Sequence, residues 1–338
     1  MPESLYGPGE ASGIWVFLEH EDGEIVPVSR ELLGKARELA GRSESSLTGL
    51  VMGNDVEDVA AKASRLDLDR VLTVPHPRLE PFTAEANSFA AAAAIRAQRP
   101  DVLLMGATPY GRDLAGRLAV MLQTGLTADC TDLDLEPDSG LLLGEVSGFG
   151  GDILAMIKCE RRRPQMATVR PGVFAETGHR RAAPAPIDTF AVDVPAQAVP
   201  VRVLARRKHH GVDISRAGRL VIAGRGVQGE MSLVESLARV LDAEVGATRV
   251  AVDEGWIGRD RQIGQTGIVV RPGLAIVCGA SGATQFTVGI DKAGLVVALN
   301  QDPEAPIFEQ ADLCVVEDLF PVVRALLARF ESEGAMPS

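Results

Sequence analysis

The sequence has little that would hold a metal. Its four cysteines, Cys130, Cys159, Cys278 and Cys314, stand far apart, with no Cys-x-x-Cys pair and no His–Cys cluster. Zinc and iron–sulfur ligation are therefore not expected, and scattered thiols fit a reducing compartment. Cys278 and Cys314 fall in strand-like runs, where a reduced core thiol is the expectation. Positive charge is also scarce. Against 46 Asp and Glu there are 34 Lys and Arg, a net charge of −12. Readers of a phosphate backbone carry a basic face, so nucleic acid is not an expected partner. No uninterrupted apolar run approaches the roughly 20 residues that span a bilayer, so direct membrane insertion is not expected. The opening MPESLYGPGEASG lacks both the apolar core of a secretion signal and the Arg-rich pattern of a transit peptide. A cytoplasmic location is the expectation.

What is present is an alternation of short apolar runs and helical patterns. At 338 residues the chain exceeds one core of usual size, so two domains are expected. Its hydrophobic content of 46% and mean hydropathy of +0.10 are ordinary for a globular α/β protein. Strand-like runs at 14–18, 47–52, 70–74 and 102–105 alternate with helical patterns at 29–40, 56–66, 82–98 and 114–122, with Ser29 as a possible N-cap. This is the pattern of a doubly wound parallel sheet. Further β-like segments are predicted at 141–146, 153–158 and 165–169. The Gly106–Asp113 loop has two glycines but no Walker signature, and reads as a tight strand–helix turn. Arg161, Arg162 and Arg163 read as a solvated turn. Residues 171–200 are rich in Ala and Pro and read as a semi-extended linker, with an edge strand near Phe190–Val194. The boundary is expected at 200–215, giving an N-terminal α/β domain over 1–205 and a second domain over 206–338. His209 and His210 sit in a basic turn without carboxylates, which rarely binds metal.

In the second half, the run at 220–223 leads into Gly224-Arg225-Gly226-Val227-Gln228-Gly229 and a helix to about Leu241. This matches the dinucleotide G-x-G-x-x-G fingerprint in its proper setting. Two features weaken a nicotinamide reading. Glu244 lies near the spacing of a ribose-binding acid but opens a predicted turn at 244–247. Arg225 stands where a small residue is expected. A strand is predicted at 250–252. The apolar runs at 274–278 and 295–299 are each followed at once by small or polar residues, Gly279-Ala280-Ser281-Gly282 and Asn300-Gln301-Asp302-Pro303. Strand C-termini are where open α/β sheets bind ligands, and such turns present backbone N–H groups to anions. A strand at 313–316 and a closing helix capped by Asp318 complete the pattern. Three readings remain open from these features: a nucleotide-type cofactor site, an NAD-dependent oxidoreductase built on Gly224, Gly226 and Gly229, and a non-redox nucleotide-binding module in the N-terminal half.

Specific motifs narrow the choice. QIGQTG at 262–267, SGATQ at 281–285 and NQDPEAPIFEQADLCVVEDLF at 300–320 resemble the alpha subunit of electron transfer flavoproteins. GRG at 224–226, GATR at 246–249 and TVRPGVF at 168–174 fit the same family, so the resemblance covers nearly the whole chain. It implies an N-terminal nucleotide-hydrolase-like α/β domain that packs with a beta subunit, and a C-terminal Rossmann-like domain that holds FAD. The implied function is an electron carrier without substrate chemistry of its own. Electrons would come from a flavin dehydrogenase, of acyl-CoA type, and pass to a quinone oxidoreductase or another acceptor. The resemblance further implies FAD contacts. Arg225 would lie on the dinucleotide, Thr248 (often Ser in the family) would donate a hydroxyl, and Arg249 would lie over the isoalloxazine. Ile263, Gly264, Gln265 and Thr266 would line the flavin edge, with the Thr266 hydroxyl near N5. Ser281, Gly282, Ala283, Thr284 and Gln285 would cradle the ribityl-phosphate. Asn300 would hold the ribityl or adenosine side, and Asp318 and Leu319 the adenosine end. One position departs from the family. Where it commonly carries His near flavin O2, this chain has Phe286, which implies a lower first-electron potential or a less stable anionic semiquinone.

Overall fold

A computed structural model describes residues 6–148, 153–176, 183–205 and 214–332. His209 and His210 lie outside the described residues. The chain divides into two compact units, 1–206 and 207–338.

The first unit is built on a seven-stranded sheet. Its spatial order is Ile187–Thr189, Arg70–Pro75, Leu47–Gly53, Ile14–Phe17, Val102–Gly106, Gln165–Val169 and Leu126–Cys130, every neighbour parallel. Parallel strands are covered on both faces, which is why Leu47–Gly53 is buried along its whole length. One apolar cluster, with Val16, Leu32, Val51 and Leu104, fills one face, and a second, with Trp15, Leu50, Ala91 and Leu103, fills the other. A three-stranded antiparallel sheet of Asp132–Leu135, Leu142–Gly148 and Ile153–Lys158 is added to this unit. The mixed α/β class read from the sequence, with its parallel sheets, is the observed one.

Several local expectations are corrected. The first helix starts at Pro27, not at Ser29, because a proline suits the first helical turn. Ser29 is buried instead, and its hydroxyl accepts the Glu19 N–H at 3.0 Å. The helix expected from Leu114 starts at Pro109, capped by the Thr108 hydroxyl, which accepts the Gly111 N–H at 2.9 Å. Gly111 has no room for a side chain, since a Cβ there would lie 1.9 Å from the Gly106 carbonyl oxygen. Arg163 does not lie in a solvated turn: it is buried and ion-paired with Asp101. The edge strand within the Ala/Pro-rich stretch falls at Ile187–Thr189, just before the predicted position. The strand Leu126–Cys130 was not anticipated.

The second unit has a five-stranded parallel sheet, ordered Glu244–Ala247, Arg219–Ala223, Leu274–Cys278, Val296–Asn300 and Leu313–Val316. Numbered along the chain this is 2-1-3-4-5, with its topological switch point between Arg219–Ala223 and Leu274–Cys278. Glu244–Ala247 is thus an edge strand rather than a turn, and Arg249–Asp253 is a short helix rather than a strand. A four-residue apolar run cannot distinguish the two by periodicity. The pairing of Ala223 with Ala247 decides it, because the strand is finished before Thr248. Cys278 is a core thiol that burial pushes up to about 12, whereas Cys314, also in a strand, is exposed. The closing helix Leu319–Ser332 begins where expected, with the Phe320 N–H donating to the Asp318 carboxylate at 3.0 Å.

Candidate functional site

A cavity of about 740 Å³ opens along the C-terminal edge of the five-stranded sheet. Three stretches of the chain form its walls. The first is Arg225 and Gly226, directly after the strand Arg219–Ala223. These glycines are needed for close packing against the neighbouring turn. A Cβ on Gly224 would lie 2.4 Å from the Ala280 nitrogen, and one on Gly226 would lie 2.8 Å from the Gly279 Cα. The two turns are tied by hydrogen bonds from Gly224 N–H to Cys278 O and Gly226 N–H to Gly279 O, both 2.8 Å. Gly224 and Gly226 of the fingerprint therefore serve turn-to-turn packing. Glu244 fails as a ribose acid: it begins its strand and pairs with Arg261 at 2.8 Å.

The second wall is the turn after Leu274–Cys278, from which Gly279, Ala280, Ser281, Gly282 and Ala283 line the cavity. Gly279 and Gly282 have positive φ values of +66° and +87°. A turn with left-handed glycines can present successive N–H groups to an anion as a nest. Among the described residues, the N–H groups of Ser281, Gly282 and Ala283 find no intramolecular acceptor. The turn is held from behind. The Ile307 N–H donates to Ser281 O at 3.0 Å, and a Cβ on Gly282 would lie 2.1 Å from the Ile307 nitrogen. Asn300 lines the cavity, but its carboxamide also works structurally, donating to Ala280 O at 2.9 Å and accepting the Asp302 N–H at 3.0 Å.

The third wall comes from the segments after Glu244–Ala247. Thr248, Arg249, Ile263 and Thr266 line it, and Gln285 and Phe286 close it from the other side. The Thr248 hydroxyl does not cap the short helix that follows, so it remains available to a ligand. Arg249 is 69% exposed and pairs with Asp253 at 3.2 Å. Arg225 makes no ion pair among the described residues. Two arginines, Arg225 and Arg249, thus face one lining carboxylate, Asp302.

Of the residues singled out from sequence, five stand outside the lining. Gly264 has φ +131°, and a Cβ there would lie 2.4 Å from Gln285 O. The Gln265 N–H donates to the same carbonyl at 2.7 Å, so both residues seat the loop on the short helix that contains Thr284. Asp318 caps the closing helix, and Leu319 is a buried core residue. The lining includes residues that sequence reasoning had not assigned. Gln262 and Val250 flank expected positions, and Asp302, Ala305 and Pro306 belong to the DPEAPIF turn. The signal for the latter was there, since they directly follow a strand at the sheet's C-terminal edge.

These features fit a flavin dinucleotide. The amide nest and arginines suit a pyrophosphate, the apolar Ile263 and Phe286 suit a ring, and the volume lies in the range of small-molecule sites.

The first unit has a cavity of about 240 Å³, also at strand C-termini. Its lining carries Glu19, Glu21, Asp22, Asp55 and Glu80 and no Lys or Arg. Burial raises the Glu19 carboxyl above its usual range, against the lowering effect of the Thr108 hydroxyl. Such a wall disfavours a phosphate at this cavity.

Comparison with known proteins agrees with this division. A family model described as "Electron transfer flavoprotein domain" matches residues 14–195, and one described as "Electron transfer flavoprotein FAD-binding domain" matches residues 213–291. The chain is 40% identical to the electron transfer flavoprotein subunit alpha of Thermoanaerobacterium thermosaccharolyticum, over 93% of this chain and 96% of that protein. It is 35% identical to the acryloyl-CoA reductase electron transfer subunit beta of Anaerotignum propionicum, over 93% and 94%. It is also 35% identical to the lactate dehydrogenase (NAD(+),ferredoxin) subunit LctC of Acetobacterium woodii, over 94% and 77%. With one domain model covering more than half its length and relatives matching along nearly all of it, the chain belongs to the electron transfer flavoprotein family, among the alpha subunits.

Proposed function

We propose that this chain is the FAD-holding subunit of an electron carrier. Its cavity takes FAD, and it works as a heterodimer with a beta subunit in the cytoplasm. It receives electrons from a flavin dehydrogenase, of acyl-CoA type, and passes them to a quinone oxidoreductase or another acceptor. The observation that carries this reading is the pairing, in one cavity, of the Ser281–Ala283 amide nest with Arg225, Arg249 and the Phe286 ring. The names of the relatives support an electron-transfer role in multi-subunit assemblies.

Bound FAD would supply reversible one- and two-electron chemistry. The chain's own residues bind and tune it. The nest amides and Arg225 hold the pyrophosphate. Ile263 and Phe286 give the ring an apolar bed and exclude water from it. The Thr266 hydroxyl offers a hydrogen bond to the ring edge. Arg249 stabilises negative charge gained on reduction: a unit charge at 4 Å contributes about 4 kcal/mol at an effective dielectric of 20 and about 1 kcal/mol in bulk water. No general base or nucleophile is required, so the chain has no substrate chemistry of its own.

The test is co-production with a beta-type subunit and a visible spectrum, with FAD added back after purification. A yellow heterodimer with stoichiometric FAD is expected. A colourless protein that takes up no added FAD would sink the reading, and NADH binding in its place would favour the dehydrogenase alternative.

A further inference from the structure

Gln262 is a buried polar side chain in the cavity wall that donates to a cavity hydroxyl. It is 4% exposed, and its Nε2 donates to the Thr266 Oγ1 at 2.9 Å. Both residues line the cavity. The backbone of Gln262 is fixed on both sides. Its N–H donates to Arg259 O at 3.1 Å, its carbonyl accepts the Ile268 N–H at 2.7 Å, and it bridges to Ala247 at the end of the edge strand. A Cβ on Gly267 would lie 3.1 Å from Gln262 Cγ, so the side chain is packed against the loop it serves.

A threonine hydroxyl has one proton and two lone pairs. When its oxygen accepts from the Gln262 amide, its own proton is left to donate. Thr266 is otherwise exposed to the cavity. We infer that Gln262 is a positioning residue that fixes the polarity of Thr266, making it a hydrogen-bond donor toward the bound ring. This rests on the flavin reading above. The chemistry suits it: apart from N3–H, the edge of oxidised isoalloxazine presents acceptors, and negative charge builds on them on reduction. A donor held in place favours the reduced ring. A reversed amide, whose carbonyl accepted the Thr266 proton, would leave only an acceptor facing acceptors.

The test is a double-mutant cycle on the FAD-loaded heterodimer, read by potentiometric titration and by FAD affinity. Gln262→Met removes the amide at similar volume. It makes the first reduction about three- to tenfold less favourable, as expected for one neutral hydrogen bond, or ~30–60 mV at ~59 mV per tenfold. Thr266→Val lowers the potential at least as much. The pair together matches Thr266→Val alone, because Gln262 acts through that hydroxyl. If Gln262→Met yields no flavoprotein, Gln262→Asn runs the same cycle, since it keeps an amide one methylene too short to reach Oγ1. Additive effects of the two substitutions, or no effect of the Gln262 change in the parent, overturn the inference. Failure of the parent itself to hold FAD would instead count against the flavin reading.

Discussion

The family resemblance implies a histidine at the position of Phe286, and replacing Phe286 tests how much one side chain sets the potential of the proposed flavin. It is 6% exposed, lines the cavity, and belongs to an apolar cluster with Ile263, Ile290 and Ile307. A phenyl ring can neither donate a hydrogen bond nor carry charge. Phe286→His places an N–H donor in the same wall. Donation to a ring that becomes negative on reduction contributes about 1.5–3 kcal/mol. At ~59 mV per tenfold, and about 1.4 kcal/mol per tenfold, this is an upward shift of roughly 65–130 mV in the first reduction potential. Burying a phenylalanine contributes about 1.5–3 kcal/mol, part of which the smaller, more polar imidazole forfeits, so the variant is also less stable. Imidazole gains a proton near pH 6.5, so the shift should be larger at pH 6 than at pH 8. Potentiometric titration of the FAD-loaded heterodimer at both pH values is the assay, with Phe286→Leu as an apolar control that leaves the potential in place. If Phe286→His gives no upward shift at either pH, another donor already serves that side of the ring, and the low-potential reading of this chain is wrong.

Four further outcomes are expected. Arg249→Gln should lower the first potential by roughly 40 mV, the bulk-water end of the Coulomb range, because the side chain is 69% exposed; the difference from the parent should shrink in 0.5 M salt, about three times physiological ionic strength. Gly224→Ala forces a Cβ against the backbone of Ala280 and should cost about 1–3 kcal/mol in urea unfolding of the flavin-free chain; an unchanged midpoint would mean that the two turns separate freely. Burial raises the Glu19 carboxyl, so its ionised form destabilises the fold as pH rises through the raised folded value. Glu19→Gln should therefore raise Tm at pH 7–8, with the gain vanishing as pH falls below about 4, where the wild-type carboxyl becomes neutral in both states. Asp101→Ala leaves the buried Arg163 without its carboxylate and Gln165 without its acceptor, and should cost about 3 kcal/mol, the lower end for buried pairs because Asp101 is partly solvated; chemical denaturation of the parent and variant decides it.

The alternating sheet and helix pattern was legible because buried parallel strands are short, apolar and bounded by Gly or Pro. The misread stretches have physical causes. At 244–253 two Val-containing runs of four or five residues lie side by side, and neither length nor periodicity tells a strand from one helical turn. Hydrogen-bonded pairing with Arg219–Ala223 made the first of them the strand. Ser29 looked like a helix cap by composition, but Pro27 sets the start and the Ser29 hydroxyl braces Glu19 from within the core. Of the site, the motif-bearing residues Arg225, Thr248, Arg249, Thr266 and Asn300 do meet at one cavity. Gly264 and Gln265 do not line it, because a motif records loop packing as well as ligand contact. Gln262 was overlooked for the complementary reason: its part lies in a hydrogen bond to Thr266, which spacing alone does not reveal.

Both units of the chain are doubly wound parallel sheets with a cavity at the strand C-termini, and the fold alone would allow a ligand at each. The loops decide the difference through the sign of what they present. In the first unit the turns after the central strands carry Glu19, Glu21, Asp22 and Asp55, and the remaining wall adds Glu80. Each carboxylate within 4 Å of a phosphate oxygen would cost about 1 kcal/mol even in bulk water, and more where burial lowers the dielectric, as it does around Glu19. In the second unit the corresponding turns are glycines and small residues, with the N–H groups of Ser281, Gly282 and Ala283 lacking an acceptor among the described residues and an arginine beside each of the first two strands. An anionic ligand is therefore better received by the second unit's cavity than by the first's. Gly224, Gly226 and Gly279 spend their own N–H groups on backbone carbonyls, and the packing they allow holds in place the free amides of Ser281, Gly282 and Ala283. Substitution at Gly226 or Gly279 should accordingly disturb stability and cofactor affinity together, whereas substitution at Arg225, exposed and outside the core, should weaken the cofactor alone.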